Sequence, residues 1–159
     1  METIQSLMGV LRDQISILED LKMLIEQEKV YITSWNIDKV IETAKSKDTI
    51  VYKERILDEA KDKYIKKYCL ENGISSFTIG DVIDTLKDKE QQAQILALLE
   101  KLRSLAVDVR NGNMAVKILY GTNLRLISDF FDKIGLNSNV LYNQKGTEIK
   151  KTVSINRSA

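Results

Sequence analysis

The chain has 159 residues, about the length of one domain, with 24 basic and 23 acidic side chains and no histidine. The absence of histidine excludes the usual catalytic triads and imidazole metal sites, and a single cysteine can form neither an internal disulfide nor a multi-thiolate zinc site. The near-neutral charge does not favour nucleic acid as a partner. Because proline is absent and charged residues are frequent, we expect an all-α protein. Because the residues for the usual catalytic and metal sites are missing, we also expect that it is not an enzyme and that it holds no metal or cofactor.

The sequence shows no segment for membrane insertion. Its longest apolar runs are a few residues, far below the roughly 20 residues that a spanning helix needs. The acidic, amphipathic start does not resemble a signal peptide, and the lone thiol of Cys69 is typical of a reducing compartment. We therefore expect a cytoplasmic protein.

The first predicted helix begins near Ile4 and ends near Val30. Its apolar residues step by three and four along two heptad rows, which predicts a seam that packs against neighbouring helices. Gln14 interrupts the second row. The first row is Ile4, Leu11, Leu18 and Ile25, and the second contains Leu7 and Leu21.

A second helix is predicted from about Trp35 to Leu70, with Thr33, Ser34 or Asn36 as its N-cap. Its apolar stripe drifts around a straight helix, and we expect supercoiling to absorb the drift. Asn72-Gly73 then supplies a left-handed stop signal. The early part of the stripe is Ile37, Val40, Ile41, Ala44 and Val51, and the later part is Ile50, Leu57, Ala60, Tyr64 and Tyr68.

A short helix and a long helix complete the predicted order. Thr78 and Asp81 form a capping box for a short helix over Val82, Ile83 and Leu86. The last helix runs from about Asp88 or Lys89 to Ile134, roughly 67 Å at the standard rise of 1.5 Å per residue. Its heptad rows are Ile95, Leu102, Val109, Val116, Asn123 and Phe130, with Leu98, Leu105, Gly112, Leu119 and Leu126.

Gly112 is a defect in the seam of this long helix. Within Asn111-Gly112-Asn113 it favours a bend or a break, since glycine costs about 1 kcal/mol relative to alanine inside a helix. The alternative is that a glycine allows the backbone of a partner to approach closely.

These elements predict an elongated antiparallel helical bundle or coiled coil: an N-terminal helical hairpin, a short helix and one long C-terminal helix. We expect residues 1–135 to form a single domain and residues 136–159 to form a flexible basic tail. Residues 133–159 carry five basic groups against Glu148. The tail is either a disordered end or a docking peptide.

The far half of the last helix carries an apolar arc of about 160°, wider than a two-stranded seam uses. Other helices of the chain or a second copy could cover the excess. Alternatively, the arc is a groove for an amphipathic partner helix, and an uncovered strip of this width needs an occupant. The candidate partner-binding residues are Met114, Val116, Ile118, Leu119, Tyr120, Leu124, Ile127, Phe130, Phe131 and Ile134.

Several of these features together resemble one family. A helical hairpin precedes a long third helix, Asn111 and Asn113 lie mid-helix, and an aliphatic and aromatic run leads to Phe130-Phe131. The tail carries Leu141-Tyr142-x-x-x-Gly146, similar to a Leu-Tyr-Gly-x-x-Gly motif, with Asn143 at the first glycine. The chain thus resembles the FlgN-type flagellar export chaperones.

The resemblance implies a cytoplasmic chaperone that binds the amphipathic terminal segments of hook-associated proteins, prevents their premature assembly and delivers them to the export gate of the flagellar type III secretion apparatus. The partner-binding residues would then hold the client, and Leu141, Tyr142 and Gly146 would dock at the export gate. A homodimer is compatible with this role. The alternative is a structural coiled-coil module that acts through self-association.

Overall fold

The computed structural model describes residues 2–133, apart from the side chain of Phe131. These residues form four helices and no strand: α1 (Glu2–Thr33), α2 (Ile37–Glu71), α3 (Ile79–Thr85) and α4 (Lys89–Lys133). The predicted all-α class and helix order are confirmed. Residues 1–117 form one compact unit, and the part of α4 from Ile118 onward belongs to a second unit.

Helices α1 and α2 form an antiparallel hairpin. The Thr3 hydroxyl near the start of α1 donates to the Glu71 carboxylate at the end of α2, at 3.2 Å. Towards the other end, Lys47 Nζ of α2 lies 2.6 Å from Glu28 Oε2 of α1. The Glu28 side chain is 4% exposed, so this ion pair is enclosed between the two helices.

Helix α4 runs parallel to α1. Lys101 Nζ lies 2.7 Å from Glu19 Oε1, and Lys22 Nζ, one turn further along α1, lies 2.6 Å from Asp108 Oδ2, two turns further along α4. Within residues 1–117 the three long helices therefore run up, down and up, which is the arrangement that short connections impose on a helical bundle.

All four helices contribute to one core near the start of α1. The buried members share an apolar character and include the side chain of Cys69. The heptad rows of α1 supply Ile4, Leu7 and Leu11, as the spacing predicts, and Met8 lies beside these rows. The cluster is Ile4, Leu7, Met8, Leu11, Ile65, Cys69, Val82, Leu86 and Ile95.

The predicted helix ends are confirmed by their capping bonds. The Asn36 side chain accepts from the Lys39 backbone N–H at 3.2 Å and caps α2. At α3, the Asp81 backbone N–H donates to Thr78 Oγ1 at 3.2 Å, and the Thr78 backbone N–H donates to the Asp81 carboxylate at 2.9 Å. Gly73, after α2, adopts the left-handed φ of 69° that its residue type predicts.

Gly112 does not break α4, so the favoured prediction for this residue is wrong. The helix continues through it, and a Cβ placed there would lie 2.7 Å from Cγ2 of Ile25 in α1. The alternative of close approach is the right one, although it is a side chain rather than a backbone that approaches. Glycine is needed at this position because a buried neighbour occupies the space of its side chain.

The early apolar set of α2 does not pack as predicted. Ile37, Ile41 and Val51 are all more than half exposed, whereas the later set, from Leu57 to Tyr68, lies half-buried along the hairpin. The two parts are therefore different faces of the helix rather than one supercoiled stripe. The drift seen in the sequence marks the change from one face to the other.

Candidate functional site

The heptad rows of α4 change from buried to exposed along the helix. Val116 is 4% exposed, Asn123 one heptad later is half-buried, and Phe130 one heptad further is 59% exposed. The other row follows the same course, from buried Leu105 and Gly112 to Leu126 at 56%. No described side chain after Val116 is buried. The same apolar pattern thus forms core at one end and open surface at the other.

The exposed apolar side chains after residue 117 form what we name the α4 surface. The charged residues between positions 118 and 133 are Arg125, Asp129, Asp132 and Lys133, two of each sign. With apolar anchors and balanced charge, the surface suits hydrophobic contact with an amphipathic helix better than recognition of a charged ligand. The surface consists of Ile118, Tyr120, Leu124, Leu126, Ile127 and Phe130.

Most of the predicted partner-binding residues that the structure describes are accessible, with two differences. Val116 is buried, so it packs within the protein and is not part of an accessible binding surface. Leu119 is half-buried, at the transition between core and surface. Met114 is exposed, in the unit that ends at residue 117.

The remaining predicted residues lie outside what the structure describes. The side chain of Phe131 belongs to this group, as do the whole of Ile134 and the predicted tail, residues 136–159. The predicted docking residues in that tail are Leu141, Tyr142 and Gly146.

Metal ligands, a reactive thiol and membrane-spanning helices are the other kinds of feature that residues 2–133 could contain. No group of three or more histidine, cysteine, aspartate or glutamate side chains is placed to hold a metal ion there. Burial raises the pKa of the Cys69 thiol, which disfavours the thiolate that reacts with electrophiles. Within the same residues, none of the helices combines the length and the apolar character needed to cross a membrane.

Sequence reasoning missed an accessible face on α2. Its apolar members are between 47% and 60% exposed, and they recur at a spacing of four residues on either side of a charged pair. The sequence signal for this face is the drift of the apolar pattern around α2, which by itself predicts supercoiling. We name this face the α2 stripe; it consists of Ile37, Ile41, Lys45, Asp48, Tyr52 and Ile56.

Comparison with protein families assigns the helical pattern to a known family. The family model described as FlgN protein matches residues 1–149, which include all four helices and the Leu141-to-Gly146 stretch. The chain belongs to the FlgN family. This is a family of chaperones for flagellar export rather than of enzymes, so membership implies binding of flagellar proteins. No curated protein and no solved structure matches the chain.

Proposed function

We propose that this FlgN-family protein acts in the cytoplasm, without catalysis, as a chaperone that binds the amphipathic terminal segments of hook-associated proteins. It keeps these segments from assembling prematurely and delivers them to the flagellar export gate. The α4 surface is the client-binding surface, with Leu124, Ile127 and Phe130 as central anchors.

The observation that carries this proposal is the exposure of the α4 heptad rows. A helix whose apolar seam served only the chain's own core would be covered along its whole length. In α4, Leu126 and Phe130 continue the rows of Gly112 and Val116 yet lie open. Large exposed apolar patches on soluble proteins mark sites where a partner binds.

The chemistry of the client matches this surface. A subunit that polymerises through its terminal helix must keep the apolar face of that helix covered until assembly. An apolar helix on the chaperone supplies this cover through anchors about one turn apart, and Leu124, Ile127 and Phe130 follow one another at a spacing of three residues. Ordering the client consumes several kcal/mol of the gross contact energy, so the complex stays reversible and the client can be released.

The tail supplies a separate function in this proposal. Tyr142, with Leu141 and Gly146, docks at the export gate while the α4 surface holds the client. Replacing Tyr142 by alanine is therefore expected to abolish docking at the gate and to leave client affinity unchanged. A loss of client affinity in this variant would place the tail in the client site instead.

The client site can be tested with paired exposed positions on α4. We expect Leu124→Asp with Phe130→Asp to weaken binding of the purified terminal segments of hook-associated proteins at least about 100-fold. Two apolar side chains that lose burial are each worth about 1.5–3 kcal/mol, and every 1.4 kcal/mol is about tenfold in affinity. Leu119 is not substituted because it is half-buried.

The matched control is Leu96→Asp on the same helix. Leu96 is 50% exposed, so the change adds a charge to α4 at comparable accessibility and outside the α4 surface. Its client affinity is expected to equal that of the unchanged protein, and helicity by circular dichroism is expected to be retained in all variants. Unchanged client affinity in the double variant would contradict the proposal. If the double variant instead dissolved an oligomer without affecting client capture, the self-association module would be favoured.

A further inference from the structure

We propose that a second copy of this chain docks on the α2 stripe, with the two α2 helices antiparallel, to form a two-fold symmetric dimer. The stripe lies on the face of α2 away from the residues that pack on α1. Its four apolar members, Ile37, Ile41, Tyr52 and Ile56, are between 47% and 60% exposed. This surface is separate from the α4 surface, and the proposal does not depend on the proposed function.

The order of residues along the stripe makes it complementary to itself. If a two-fold axis passes at the level of residues 46 and 47, Ile37 faces Ile56 of the second copy and Ile41 faces its Tyr52. In the middle, Lys45 faces Asp48. Because the relation is symmetric, each pair occurs twice across the axis, as an isologous interface requires.

Charged residues beside the α2 stripe also face opposite charges in this register. Asp38 faces Arg55, so no like charges oppose each other along the stripe between residues 37 and 56. Arg55 is already held in place, since its guanidinium lies 5.3 Å from the ring centroid of Tyr52. Opposite charges at facing positions set the register and orientation of paired helices.

Other arrangements of two α2 helices lose this complementarity. A parallel pair in register places Lys45 against Lys45 and Asp48 against Asp48. An antiparallel pair with the axis at residue 48 also opposes the two Asp48 carboxylates. Moving the axis to the level of residues 44 and 45 sets Asp48 against Ile41. The charge pattern of the α2 stripe therefore favours a second copy of the chain, bound in one antiparallel register.

The charged pair at the centre gives a direct test within a single chain. Lys45→Asp places two carboxylates opposite each other, and Asp48→Lys places two ammonium groups opposite each other. Each is expected to weaken the dimer at least about tenfold, as judged from the concentration dependence of the mass in sedimentation equilibrium. The double exchange Lys45→Asp with Asp48→Lys restores opposite charges and is expected to restore the dimer.

Apolar positions supply the second test and its control. Ile41→Asp is expected to give a monomer, while Met23→Asp, at a residue 60% exposed on α1 and outside the stripe, leaves the dimer intact. Both variants are expected to keep the helicity and the client affinity of the unchanged protein. A protein that remains monomeric at the highest soluble concentration would overturn the proposal, as would a charge exchange that fails to restore the dimer. Loss of client binding in Ile41→Asp would assign the stripe to the client instead.

Discussion

Gly112→Ala tests whether α1 and α4 are packed as closely as the structure indicates. Alanine raises the intrinsic stability of a helix by about 1 kcal/mol relative to glycine. At Gly112, however, the added Cβ would lie 2.7 Å from Cγ2 of Ile25, whereas carbon atoms in contact are usually about 3.5–4.0 Å apart. One of the two helices must therefore move by about 1 Å.

The steric cost can be bounded from the neighbour. Ile25 is 1% exposed, and its clashing methyl is on the β-branched carbon, whose χ1 rotation is strongly restricted in a helix. Overfilling a well-packed site of this kind costs about 1–3 kcal/mol. After subtraction of the helix propensity gain, Gly112→Ala is expected to leave stability unchanged or to lower it by about 2 kcal/mol.

Gly121→Ala is the matched control on the same helix. A Cβ at Gly121 meets nothing within 4 Å, so only the propensity gain remains and we expect about 1 kcal/mol of stabilisation. The free energies of unfolding can be measured by urea denaturation monitored by circular dichroism. If Gly112→Ala stabilises the protein as much as Gly121→Ala does, the close packing of α1 and α4 is refuted.

A double-mutant cycle assigns the cost to the named neighbour. Ile25→Ala removes Cγ2 but keeps Cβ, which lies 3.7 Å from the added atom, an ordinary contact. In that background Gly112→Ala is expected to be stabilising by about 1 kcal/mol. The coupling between the two changes should therefore equal the steric cost, about 1–3 kcal/mol. Simple additivity would mean that another residue opposes the alanine.

Three further changes test buried polar groups and a helix cap. Lys47→Met removes the ammonium group that pairs with the enclosed Glu28 carboxylate, so we expect about 1.5–3 kcal/mol of destabilisation, with part of it recovered when Glu28→Gln is added; equal losses in the single and double variants would contradict the enclosed ion pair. Gln14→Leu removes a buried acceptor oxygen that has no hydrogen-bond partner among the described residues, but also the Nε2 donor to Glu54 Oε1 at 3.1 Å, so urea denaturation is expected to show a net change in stability within about 1 kcal/mol. Hydrogen bonds from Thr78 lower the pKa of Asp81, so the stability that this group contributes is present above its unfolded pKa of about 3.9 and is lost as the pH falls through the folded value. Asp81→Asn should remove this part of the acid dependence, and an unchanged pH profile would count against the capping box.

What the sequence predicted well depends on neighbours along the chain. Asn36, Gly73 and the Thr78–Asp81 pair mark helix ends because a cap is formed by residues within one turn of it. The heptad rows of α1 and the uninterrupted length of α4 follow from apolar spacing in the same way. Family membership, indicated by the helical order and by the Leu141-to-Gly146 stretch, is confirmed over residues 1–149.

Only the tertiary structure shows which faces of the helices are buried in the core. An apolar stripe on α2 looks the same in sequence whether it packs or stays open, and only the arrangement of three long helices leaves Ile37, Ile41 and Val51 exposed. From the sequence, Gly112 is expected to weaken α4. In the structure, Ile25, 87 positions away in the chain, occupies the space that a side chain at Gly112 would need. Likewise Val116 and Phe130 share one heptad row but differ in burial. Spacing records which residues share a face of a helix, and burial depends on what the rest of the chain places against that face.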